Sequence, residues 1–175
     1  MASSYQYLVE NISKRIEGWQ TKYLSMAGWA TLIKASITSI PTYAMQTTLL
    51  PQKVYHHIDK LSRNFLWEGS EQHRCCHTVS WDIVTLPKEA GGLGIPSTRH
   101  ENQAILMNQA WRLFSNPMSL WAQVLQAKYF PQDTLFTSPR PSRGSHIWTA
   151  ISIRANLLHE GMCWYIGDGQ TIRIW

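Results

Sequence analysis

Apolar residues return every three or four positions along most of this chain, the spacing that lines one face of a helix. Val9, Ile12, Ile16 and Trp19 make the first stripe, which closes near Gly18. Ser25 is placed to cap a second helix, whose Trp29, Leu32, Ile33, Ile37 and Ile40 share one face. Pro41 lacks an N–H and its ring crowds the preceding turn, which predicts a stop or kink there, with helix resuming over 42–50. Pro51 suits the first turn of a third helix, which carries Val54, Ile58, Leu61 and Phe65 and ends near Glu68 and Gly69.

Residues 70–78 are polar and turn-like, and residues 80–86 predict a short element anchored by Trp81 and Val84. That element leads into Leu86-Pro87-Lys88-Glu89-Ala90-Gly91-Gly92-Leu93-Gly94-Ile95. Its glycines permit positive φ and close backbone approach, while Leu93 and Ile95 can plug a core. Thr98 and Glu101 have the spacing of a capping box. Leu106, Ala110 and Leu113 continue the helix, with Met107, Trp111 and Phe114 beside them, until Asn116-Pro117 breaks it. Ser119 caps the next helix, with Trp121, Val124 and Leu125 predicted inward. The stretch 131–144, holding Pro131, Pro139, Pro141 and Gly144, reads as a linker. Ser145 caps a last helix with Trp148, Ile151, Ala155 and Leu158 on its apolar face and Gly161 at its C-terminal cap.

The period then changes. Cys163-Trp164-Tyr165-Ile166 and Thr171-Ile172-Arg173-Ile174-Trp175 flank Gly167-Asp168-Gly169-Gln170, which predicts a β-hairpin. A lone hairpin is marginal, so it either packs on the last helix or opens a further domain. The expected fold is mainly α, a helical array ending in a short β-hairpin. Its expected divisions are a helical region over 1–69, the glycine loop and a helical connector over 70–130, a linker over 131–144, and a helix plus hairpin over 145–175.

At 44% hydrophobic and 15% charged, the 175 residues have ample material for a core and are too apolar for disorder. Nine Trp predict aromatic-rich cores and clefts. A net charge of +5 and a pI near 9.2 favour an anionic partner, nucleic acid before membrane surface. Three cysteines make no disulfide framework and suit a reducing compartment. The longest apolar region, near 24–50, is broken by Lys34, Pro41 and many Ser and Thr, so no transmembrane span is predicted. No signal peptide is legible either. The expectation is a soluble intracellular protein, nuclear or cytoplasmic.

Catalytic signatures do not emerge. Two-metal chemistry needs converging carboxylates, and the eleven present include no Asp-Asp, Asp-x-Asp or Asp-x-Glu. His73, Cys75, Cys76 and His77 crowd four ligand-type side chains together. Zinc sites draw on spaced pairs, however, and adjacent cysteines tend to point apart, so the run is read as a polar loop and no metal site is assigned. Asp168, between two glycines, reads as a turn residue. Gly91-Gly92-Leu93-Gly94 lacks the Lys-Ser/Thr pair of a phosphate-binding loop, and nothing activates a nucleophile. The basic residues say more. Lys14, Arg15, Lys22 and Lys34 are interleaved with Trp19, Tyr23 and Trp29. Cations of this kind hold backbone phosphates while aromatic faces take bases or sugars. These four are the candidate nucleic-acid-binding residues. The competing reading is a solvated helical face over a Trp core.

An ordered set of motifs carries a family resemblance. Trp19-x4-Leu24-Ser25-x-Ala27-Gly28, Leu32-Ile33-Lys34, Ser39-Ile40-Pro41-x-Tyr43-x-Met45 and Leu50-Pro51 form one block. Phe65-Leu66-Trp67-x-Gly69, Val79-Ser80-Trp81, Pro87-Lys88, Gly91-Gly92-Leu93-Gly94-Ile95, Asn102-x-Ala104, Trp111-Arg112-Leu113, Leu120-Trp121 and Lys128-Tyr129 follow. Trp148, Gly161, Trp164, Ile166-Gly167-Asp168-Gly169 and Ile172-Arg173-Ile174-Trp175 close the series. Together these resemble the segment after the polymerase core in plant LINE-type (non-LTR) retrotransposon reverse transcriptases.

The resemblance implies a non-catalytic piece of an RNA-directed DNA polymerase. Its first helices correspond to the thumb, which grips an RNA–DNA hybrid or duplex without reading sequence, and the rest to a helical connector. It places the catalytic Tyr-x-Asp-Asp strand before this segment, and zinc-binding-like and ribonuclease H regions after it. It assigns no cofactor to this fragment, and Mg²⁺ to the intact parent polymerase. The other parts of the parent polyprotein are its expected partners beside nucleic acid, and no membrane is. Members of the resembled family usually carry Arg where Trp29 stands here, which removes one cation. Two other readings stay open, a Trp-rich protein-interaction module and an inactive translated remnant of a retroelement.

Overall fold

The structure, a computed structural model, describes residues 5–19, 24–67, 79–137 and 144–163. They fall into two compact units, Met1–Gln109 and Ala110–Trp175. Every regular element among the described residues is helical.

In the first unit, helix α1 (Gln6–Glu17) buries Leu8 and Ile12, and Gly18 follows as its cap. Helix α2 (Met26–Leu32) starts at Ser25, whose hydroxyl accepts from the Gly28 N–H at 3.3 Å. The chain then widens into a π turn (Ile33–Ile37) and tightens again into α3 (Ser39–Met45). Pro41 therefore does not end the helix. It lies buried in the first turn of α3, where an N–H is least needed. The irregularity falls just before it, where the Thr38 N–H reaches back to the Ile33 carbonyl at 3.1 Å.

Helix α4 (Gln52–Trp67) turns Val54, Ile58 and Phe65 into the same core, with Leu61 partly buried beside them. Trp29 meets Phe65 edge-on, ring centroids 4.6 Å apart at 85°, and Trp19 lies 6.3 Å from the same ring. Trp29, which stands where the resemblance leads one to expect an arginine, is thus a core aromatic, and such pairs add to what area burial alone contributes.

After α4 the described chain resumes with α5, a single turn (Trp81–Val84), then a 3₁₀ turn (Lys88–Ala90). The glycine loop folds back on this turn: Leu93 N–H donates to the Val84 carbonyl at 3.0 Å and Gly94 N–H to the Leu86 carbonyl at 2.9 Å. Gly91 and Gly94 take φ of 84° and 63°. At Gly92 a Cβ would stand 2.1 Å from the Leu86 carbonyl oxygen, so only glycine allows the approach. Ile95 is 1% exposed and Leu93 half-buried, both packed on the core as their pattern predicts.

Helix α6 (Thr98–Ser115) contributes Asn102 and Ile105 to the first unit. Asn102 is fully buried and fully used. Its amide donates to the carbonyls of Met45 (2.9 Å) and Thr48 (3.1 Å), and its oxygen accepts from Leu50 N–H (3.0 Å) and the Tyr55 hydroxyl (2.7 Å). The start of α6 departs from the expected capping box. The Thr98 hydroxyl donates to the Asp59 carboxylate at 2.5 Å, and the Thr98 N–H does so at 3.2 Å. A full negative charge from α4 outcompetes the local hydroxyl at the positive end of the helix.

In the second unit, helix α7 (Leu120–Tyr129) is capped by Ser119, and helix α8 (His146–Gly161) by Ser145. Ala110, Leu113, Ala122, Leu125, Phe130 and Leu135 close over α8. Trp148 of α8 stacks against Tyr129 at 4.8 Å and Phe130 at 5.3 Å. The inner face of α7 differs from its prediction: Ala122 and Leu125 point in, while Val124 is 56% and Trp121 37% exposed. Two buried positions three apart fix the helix rotation and leave Val124 on the flank. Leu135, in the stretch read as linker, packs into this core. The Tyr129 hydroxyl and Ser145 bond each other across that stretch, at 3.0 and 3.2 Å. Residues 138–143, the His73, Cys75, Cys76, His77 run and the predicted hairpin beyond Cys163 lie outside the described residues.

Candidate nucleic-acid interface

Lys14 and Arg15 occupy the last turn of α1, where cations complement the negative end of the helix. Both are exposed. They edge a shallow groove of about 500 Å³ whose opposite wall is the π turn and the start of α3. Asn11, Ser36 and Ser39 line it with amide and hydroxyl groups, and none of its lining residues is acidic. The Arg15 guanidinium lies 5.2 Å from the Trp19 ring, which steadies it by a cation–π contact. Two cations beside three neutral hydrogen-bonding side chains are the donor set that phosphate and sugar oxygens take.

The other two candidates fall elsewhere. Lys34 is half-buried, and its ammonium donates to the Leu93 carbonyl, tying the π turn to the glycine loop. It is absent from the groove lined by Lys14 and Arg15. Lys22 lies outside the described residues.

The first unit holds a second, larger concavity, a cleft of about 920 Å³ walled by α4, the α5 turn and the first turn of α6. Lys60, Arg63 and Arg99 supply its fixed cations, and the Trp81 ring part of its wall. None of these was among the sequence candidates. The signal was nevertheless present, because His56, Lys60 and Arg63 stand four and three residues apart on α4, opposite its buried stripe. Arg99 comes from a distant segment, and only the tertiary fold brings it across.

Of the acids in and beside this cleft, Asp82 is exposed, while Asp59 and Glu101 are constrained. Asp59 is engaged by the Thr98 N–H and hydroxyl. Glu101, half-buried and near Asp59, has its carboxyl pushed up to about 7, first by burial and then by repulsion from Asp59. Among the described residues no group of three or more His, Cys, Asp or Glu could hold a metal ion. No described helix is long and apolar enough to cross a membrane.

No family model and no solved structure matches the chain. It is 40% identical over 172 residues to an Arabidopsis thaliana protein provisionally named ribonuclease H protein At1g65750. That match takes in 96% of this chain and 28% of the relative, so the chain spans little more than a quarter of that protein. A 26% match over 132 residues joins 74% of the chain to 10% of the transposon TX1 uncharacterized 149 kDa protein of Xenopus laevis. These relatives define a class of retroelement-related proteins, and this chain is of retroelement origin. Within that class it belongs to the family of the uncharacterized mitochondrial protein AtMg00310 of Arabidopsis thaliana, 30% identical over 138 residues that cover 78% of this chain and 90% of that protein.

Proposed function

We propose that this chain is the thumb and connector of a LINE-type retrotransposon RNA-directed DNA polymerase, a non-catalytic part that helps hold the template–primer duplex by its backbone phosphates. DNA synthesis and the Mg²⁺ it uses belong to other parts of the parent protein. The observation that carries this reading is the α1 groove, where exposed Lys14 and Arg15 face Asn11, Ser36 and Ser39 with no acid among the lining residues. Such a groove binds a phosphate backbone without reading bases. The ordered motifs and the 28% share of a longer relative named for ribonuclease H support the placement within a larger polyprotein. Lys22 belongs to the same proposal.

The test is a titration of the chain with a labelled RNA–DNA hybrid at two salt concentrations. The double variant Lys14→Ala/Arg15→Ala is expected to bind several-fold more weakly and to lose about 2 from the salt slope, one per phosphate contact removed. Equal affinity and equal slope for wild type and variant would remove the groove from the proposal.

A further inference from the structure

We infer that the cleft between α4 and the start of α6 is a separate site for an unpaired nucleotide strand. The inference rests on the proposed function in one respect, that this chain handles nucleic acid; the surface, the residues and the form of ligand are different.

The α1 groove is shallow and built from cations, hydroxyls and an amide. The cleft adds an aromatic wall and a larger volume. Its volume of about 920 Å³ falls within the ~300–1,000 Å³ of pockets that enclose small molecules. That is room for a short run of nucleotides. Lys60 and Arg63 lie on one face of α4, about one helical turn apart, and Arg99 approaches from α6. The three cations thus stand on two walls, an arrangement that tracks a flexible backbone between them. Trp81 lines the cleft from the α5 turn, and its indole N–H is buried without a hydrogen-bond partner. An aromatic ring beside backbone-holding cations is the combination that captures single strands, because every base offers a π face.

Charge favours a polyanion. The ionisable lining residues are Lys60, Arg63 and Arg99, two histidines (His56 and His100), and the carboxylates Asp59 and Asp82, with Tyr55 the remaining titratable group. Three fixed cations face two acids, and one of those acids, Asp59, is turned to the Thr98 N–H and hydroxyl. Asp82 remains as one exposed carboxylate against the three cations.

Fluorescence anisotropy of the whole chain with a labelled oligothymidylate and with an RNA–DNA hybrid, each at two salt concentrations, tests the assignment. The variant Lys60→Gln/Arg99→Gln changes two exposed side chains and is expected to keep the fold, which its circular dichroism checks. It is expected to weaken single-strand binding at least tenfold and to lower the salt slope by about 1.4, at ~0.7 per contact, while hybrid binding holds. The Lys14→Ala/Arg15→Ala variant is expected to do the reverse. If the single strand is lost with Lys14 and Arg15 and not with Lys60 and Arg99, the cleft assignment fails and the proposed function stands. If the wild-type chain binds neither probe, both fail. A polyglutamate peptide that displaces the strand at equal charge concentration would show a general acid-binding cleft and overturn the nucleotide assignment. A bromodeoxyuridine-substituted strand is expected to crosslink within residues 79–85; crosslinks confined to other segments would also overturn it.

Discussion

The ammonium of Lys34 donates to the main-chain carbonyl of Leu93, 59 residues further along the chain. The lysine leaves the π turn and ends against the glycine loop, where Gly94 offers space: a Cβ there would stand 3.5 Å from the lysine nitrogen. A cation that sequence places among phosphate-binding candidates is thereby committed to holding one segment of the first unit onto another.

Replacing it separates these roles. Lys34→Met keeps most of the apolar stem and removes the charged donor. Loss of a charge-assisted hydrogen bond in a half-buried setting is expected to cost about 1.5–2 kcal/mol in urea denaturation. Hybrid affinity of the folded variant is expected to stay within about twofold of wild type, since the Lys34 ammonium is engaged by the Leu93 carbonyl and is not among the α1 groove's lining residues. A loss as large as that of the Lys14→Ala/Arg15→Ala variant would return Lys34 to the phosphate-binding set.

The glycine loop discriminates between two neighbouring substitutions. At Gly91, φ is 84° and nothing lies within 4 Å of an added Cβ, so Gly91→Ala is expected to cost only the left-handed strain of about 1–2 kcal/mol. At Gly92 the added Cβ meets the Leu86 carbonyl carbon at 2.6 Å and its oxygen at 2.1 Å. Backbone cannot yield as a side chain does, so Gly92→Ala is expected to cost about 3 kcal/mol or more. Thermal melts of the two variants give the order directly; equal melting temperatures would mean that the loop rearranges freely.

Asn102 is the polar hinge of the first core. Asn102→Leu removes both donors from the Met45 and Thr48 carbonyls and the acceptor from the Leu50 N–H. Several buried groups lose partners together, and the expected cost is about 3–5 kcal/mol. Amide exchange at Leu50 should accelerate more than at Ile12, which lies in the same core but away from this network. Uniform acceleration would point to general loosening.

Glu101 sets a pH dependence. Its folded carboxyl titrates near 7, above its ordinary value of 4.5, because burial and Asp59 disfavour the charge. The folded state therefore holds this proton more tightly than the unfolded chain. Stability from this group is fully present below pH 4.5 and is lost as pH rises to about 7. Glu101→Gln keeps the amide-sized side chain and removes the titration. It is expected to be more stable than wild type at pH 8 by about 1 kcal/mol, a value reduced for the solvent that reaches this half-buried group. Near pH 4 the two proteins should match. Denaturation curves at both pH values check the sign.

The cap residues were legible because they act within four residues of themselves: Ser25, Ser119 and Ser145 each accept from the backbone N–H three positions on. The loop glycines and Ile95 were legible for a related reason, since left-handed backbone and a lone apolar plug leave local marks. Helix rotation was not. Trp121 and Val124 look as apolar as Leu125, and only the packing of Ala122 and Leu125 on one side decides which of them meets solvent. The break expected at Pro41 falls just before it instead, because a proline's cost depends on where the helix around it begins, and the π turn moves that start.

By itself, then, the amino-acid order determined a mainly helical chain, its caps, its shaped loop, its basic balance and its resemblance to retroelement proteins. The tertiary structure decided which cations are available. It drew Lys34 onto a carbonyl, left Lys14 and Arg15 beside neutral donors, set Asp59 at the head of α6, and gathered Lys60, Arg63 and Arg99 around one cleft. Helix formation and capping are governed by near neighbours, whereas the fate of a long charged side chain depends on whatever distant segment the fold brings within its reach.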